Sequence, residues 1–132
     1  MIFCNRCLEV FYDGITNYID EKCAKANCTG TLIKVDEMIG PIIIYLFSKG
    51  YRCIESSCSG HPHRPHTMTY IRFNAYSMVE DCPEGFDIVF DAKGTLIKKH
   101  ILSNDILQRQ AMIIEAILHL RTWVNNLEIC DD

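Results

Sequence analysis

Residues 49–73 read KGYRCIESSCSGHPHRPHTMTYIRF, two strand-like arms around a loop dense in Ser, Cys, Gly and His. The second arm decides the fold class. Thr69, Ile71 and Phe73 alternate with Tyr70, Arg72 and Asn74, the period of a strand with one face in a core and the other in water. The pattern predicts a strand over residues 67–76. The first arm, residues 51–56, alternates more weakly, with Tyr51 and Cys53 on one face and Arg52 and Ile54 on the other. The intervening SSCSGHPHRPH holds two prolines and a glycine and reads as a loop.

Upstream, apolar Met38, Ile39, Ile42, Ile43, Leu46 and Phe47 recur at helical spacing and predict a helix over residues 36–49. Asp36 is the candidate N-cap, and Gly50 suits the left-handed position after Lys49. Pro41 fits only a first turn, so the alternative start is Gly40. Downstream, residues 86–90 and 95–101 read as two strands joined by an Asp91-Ala92-Lys93-Gly94 turn with Gly94 left-handed. A long helix follows, capped by Ser103 or Asn104 and running to about Leu127. Its apolar positions are too broad for one stripe and imply burial on a second side, as in a homo-oligomer.

Residues 1–33 carry Cys4-x2-Cys7 and Cys23-x4-Cys28 followed by Gly30. Two close thiol pairs can close a tetrahedral Zn2+ site, and four thiolates leave no open position, so the role read here is structural. The fold class expected is α+β: an antiparallel sheet packed by two helices (residues 34–132) with an N-terminal zinc-ribbon-like appendage (residues 1–33). Strand order is left open.

The 132 residues are 48% hydrophobic and 23% charged, ordinary for one soluble unit. A net charge of -4 disfavours a protein that holds nucleic acid by neutralising phosphates. The balance is uneven, however, with Lys49, Arg52, Arg64 and Arg72 against Glu55 alone in residues 49–76. The chain opens MIFCNRC without a basic and then apolar leader, and its longest apolar run, IIIYLF, is too short for a bilayer. A cytoplasmic location with reduced thiols, and no membrane partner, is the expectation.

Ser56, Ser57 and Ser59 offer hydroxyls, Gly60 allows close backbone approach, and successive loop amides can form an anion nest. With Cys58 and His61 in the same loop and Arg52 and Arg72 on the arms, these residues form a candidate site for a small anionic or nucleotide-like ligand. Cys58, His61, His63 and His66 have metal-donor chemistry as well, though Pro62 and Pro65 splay them. A nucleophilic Cys58 with a histidine base is a further alternative.

The phrase Lys49-Gly50-Tyr51, then Ser57-Cys58-Ser59-Gly60-His61 and Thr69-Tyr70-Ile71-Arg72-Phe73, resembles a group of small zinc-ribbon proteins of Gram-positive bacteria and their phages. Those also begin with paired cysteines and place a helix before the KGY step. The resemblance covers roughly residues 1–75 and assigns no activity. In a phage, such a pocket would serve to sequester a nucleotide immune signal of the host. Ser56-Ser57-Cys58-Ser59-Gly60 is also similar to the SSCSGR motif of the wybutosine-synthesis methyltransferases, which act on tRNA with S-adenosylmethionine; His61 stands where that family has Arg. Three functions follow as expectations: a ligand-binding module, a methyltransferase or thiol or metal hydrolase, and a ribbon that meets nucleic acid or protein.

Overall fold

The computed structural model describes residues 1–11, 22–74 and 79–130. Most of the segment between the two cysteine pairs, and the expected strand end at residues 75 and 76, lie outside the described residues. Three short strands form the first antiparallel sheet: β1 (Ile2–Cys4) is central, flanked by β2 (Val10–Phe11) and β3 (Leu32–Lys34). The second sheet has β4 (Ile54–Cys58), β5 (His66–Phe73), β6 (Asp87–Asp91) and β7 (Gly94–Leu102) in the order β4-β5-β7-β6, every neighbour antiparallel. Helices α1 (Gly40–Ser48) and α2 (Ile106–Asn126) complete an α+β architecture.

The longest strands, β5 and β7, lie side by side at the centre, in register from His66 opposite Leu102 to Phe73 opposite Thr95. Along β5 the alternation is as read from the sequence: Thr67, Thr69, Ile71 and Phe73 are buried, and the residues between them are less so. Ile71, Phe73 and Ile97 from this face share one core with Ile42, Ile43, Leu46 and Phe47 of α1 and with Ala116, Leu120, Trp123 and Val124 of α2. Phe3 of β1 joins the same core, edge-on to Phe47 at 5.2 Å between ring centroids.

Both helix caps differ from expectation, while the first helix takes the alternative start. The first helix begins at Gly40, with Pro41 in its first turn and no side-chain cap. Asp36 contributes its carbonyl to the Gly40 amide, while its carboxylate is drawn away to the Ser59 amide at 3.0 Å. At α2 the cap is Asp105, whose carboxylate accepts the Leu107 amide at 3.0 Å. Ser103 stands just outside, accepting the Asp105 amide. The excess apolar residues of α2 divide into two sets: Ile113, Leu120 and Val124 are buried, whereas Leu107, Ile114 and Leu118 are exposed.

Lys49, Gly50 and Tyr51 clasp the far end of the chain. The Lys49 ammonium donates to the carbonyls of Val124 (2.8 Å), Asn125 (3.0 Å) and Leu127 (2.6 Å), at the negative end of α2. The Tyr51 hydroxyl donates to the Glu128 carbonyl, and the Cys130 amide to the Lys49 carbonyl. Gly50 has φ +95°, and a Cβ there would lie 2.6 Å from the Cys130 carbonyl oxygen. Lys49→Met keeps the stem but removes every donor, so urea unfolding should show a loss of about 2–4 kcal/mol. A midpoint equal to that of the unaltered chain would mean that water satisfies those carbonyls equally well.

Candidate functional site

The cysteine pairs lie on turns of the first sheet. Cys4 ends β1 and Cys7 follows three residues later, before Leu8 at φ 64°. Cys23 and Cys28 precede β3, with Asn27 also at φ 64°. Pairing of Cys4 with Leu32 across β1 and β3 brings the two turns together. The four Sγ atoms all lie within 4.8 Å of one another. Cys4 to Cys28 is 3.6 Å and Cys7 to Cys23 is 3.8 Å, close to the edge of about 3.8 Å of a tetrahedron with metal–sulfur bonds of about 2.3 Å.

Amides of Arg6, Lys25 and Gly30 donate to the sulfurs of Cys4, Cys23 and Cys28, support suited to thiolates. Gly30 is required because a Cβ would occupy the place of the Cys4 sulfur. For Cys4, burial opposes ionisation but is outweighed by the Cys7 and Arg6 amides and neighbouring thiols, bringing the group down to about 7. Cys23, although the Lys25 amide favours its thiolate, is pushed up to about 12 by burial and by the sulfurs of Cys28, Cys4 and Cys7. Four thiolates this close repel one another unless a cation sits among them. The cluster is thus compatible with a metal site.

The central loop is built differently from a nest of open amides. Strand β4 runs on to Cys58, so Ser56, Ser57 and Cys58 belong to a strand. Register places Ser56 opposite Arg72 and Cys58 opposite Tyr70 on the sheet's outer face, with Ser57 opposite the buried Ile71. Ser59 is buried and fully engaged: its amide donates to Asp36, its hydroxyl accepts the Ile39 amide at 3.1 Å, and its carbonyl accepts the Thr69 hydroxyl at 2.7 Å. The Gly60 amide turns to the Cys58 sulfur and the His61 amide to the Thr67 hydroxyl. Gly60, at φ +103°, lies against Ile113 of α2. Arg52 donates to the Asn5 carbonyl on the cysteine-bearing segment, and Arg72 pairs with Asp91 at 3.3 Å.

Of the eight candidate ligand residues, Cys58 and His61 line a concave surface of about 390 Å3, together with Arg64, His66, Thr67, Met68, Tyr70 and His100. Arg109, buried near the start of α2, holds its rim by donating to the carbonyls of Pro62 (2.6 Å) and Ser103 (2.7 Å). Burial pushes the Cys58 thiol up; the Asp36 carboxylate acts in the same direction, against the Gly60 amide and Arg64. At neutral pH Cys58 is therefore a thiol, 3.5 Å from His61 Nε2, rather than an activated thiolate.

The sequence reading missed Arg64, Tyr70 and His100. Tyr70 was within reach, since it shares the period-two face of Arg72, but His100 enters only through the pairing of β5 with β7. No family model, curated protein or solved structure matches the chain. Among the described residues no helix is long and apolar enough to cross a membrane.

Proposed function

We propose that the chain is a zinc-stapled binding protein for a small anionic, nucleotide-like ligand. The observation that carries this reading is the concave surface bearing Arg64, His61, His66, His100 and Tyr70, with no carboxylate among the residues lining it. Arg64 offers a planar fork for phosphate or carboxylate, the imidazoles add donors, and Tyr70 offers a face on which a base can stack. The rim is fixed by the Ser59, Thr67 and Arg109 hydrogen bonds, so little ordering remains to oppose binding. Four thiolates close the ribbon site and leave zinc a structural task. Reduced thiols accord with a cytoplasmic setting, and exposed Leu107, Ile114 and Leu118 accord with a homodimer. Sequestration of a host nucleotide signal by a phage-encoded protein is a use that fits this chemistry.

Calorimetry in metal-free buffer with mononucleotides, dinucleotides and cyclic nucleotides tests the reading. At least one should bind, and Arg64→Ala should weaken it by about tenfold or more, the worth of a charge-assisted hydrogen bond. No heat with any nucleotide, or binding indifferent to Arg64→Ala, would overturn it.

A further inference from the structure

We propose that His66 and His100 form a second metal site, one that takes a borderline or soft transition ion such as zinc or copper. The sheet register creates it. On β5 and β7, Met68 stands opposite His100 and His66 opposite Leu102, so the two histidines are diagonal neighbours on one face. Their Nε2 and Nδ1 atoms face each other at 3.3 Å, with ring centroids 5.5 Å apart and planes inclined by 39°. Two imidazoles bound to one ion at about 2.0–2.1 Å in tetrahedral geometry have nitrogens about 3.3–3.4 Å apart. The pair already has that bite.

The surroundings select the class of ion. The pair supplies two imidazole nitrogens, and no carboxylate lines the concave surface beside it. Imidazole donors favour zinc or copper over the oxygen-seeking magnesium and calcium. The site is separate from the Cys4 cluster, and two protein donors leave positions for water or an added ligand. Both histidines are exposed, so an ion can enter without unfolding. The assignment does not rest on nucleotide binding.

The test is a zinc titration of the full chain without any nucleotide, reading bound metal per chain by equilibrium dialysis and the imidazole resonances by NMR. Two ions per chain are expected. His100→Asn and His66→Asn should each lose one of them, and the second equivalent should shift the His66 and His100 signals together in the unaltered chain. An ion count in both variants equal to that of the unaltered chain, or His66 and His100 signals unmoved throughout the titration, would overturn the site and leave a plain hydrogen-bonded pair. The nucleotide reading is tested separately, in metal-free buffer and through Arg64→Ala.

Discussion

Replacing Cys4 with serine should strip the metal from the N-terminal sheet and lower the stability of the chain by about 3–5 kcal/mol, near the upper end for single substitutions. Two effects combine at this residue. A serine hydroxyl does not give up its proton as a thiol does, so a metal held by the four sulfurs, as proposed, would lose a ligand, and the other three thiolates would lose the cation that offsets their repulsion. Cys4 is also buried beside Phe3 and ends the strand that pairs with both β2 and β3. Cys7 is exposed, so Cys7→Ser should release metal with a smaller loss of packing. Metal analysis and thermal unfolding with and without a chelator measure both effects. If the unaltered chain carries no metal and ignores the chelator, the four sulfurs are merely packed thiols.

Gly94→Ala is the second large effect, with an expected loss of about 3 kcal/mol or more in urea unfolding. Gly94 opens β7 at φ +132°, a conformation that side chains rarely adopt, and closes the turn from Asp91. A Cβ there would overlap the Phe73 carbonyl oxygen and stand 2.5 Å from the Asn74 carbonyl carbon. The obstacle is backbone, and the Phe73–Thr95 pair beside it holds the two central strands in register. Relief requires opening the sheet at its centre. An unfolding midpoint unchanged by the substitution would show that the turn can be rebuilt around the methyl group.

These two residues also mark how far local pattern reaches. Gly94 was legible because a turn between two alternating runs requires a left-handed residue, and the cysteine pairs because thiols at short spacing have few other uses. The faces of β5 and the core side of α1 follow from period alone. Asp36 was misplaced for a physical reason: a carboxylate before a helix has two amides to choose from, and the competing one, Ser59, lies 23 residues away. The candidate loop dissolved in the same way. Ser59, Gly60 and His61 have the composition of an anion nest, yet their amides are taken by Asp36, Cys58 and Thr67. Composition names the donors in a loop but not their partners. Arg64, Tyr70 and His100 gather only because β5 lies against β7, a pairing that short-range pattern does not specify.

The Lys49 clasp has a consequence for timing. Lys49 leaves the site of synthesis 75 residues ahead of Val124, an interval of roughly 4–15 s at ordinary elongation rates. Over that interval the end of α1 has no carbonyls to meet, and its core-facing side waits for α2. The thiol cluster is complete once Cys28 has emerged. Metal capture is thus available as an early event that holds the first strands beside the entry to α1, and the closing of Lys49 on the end of α2 is a late one.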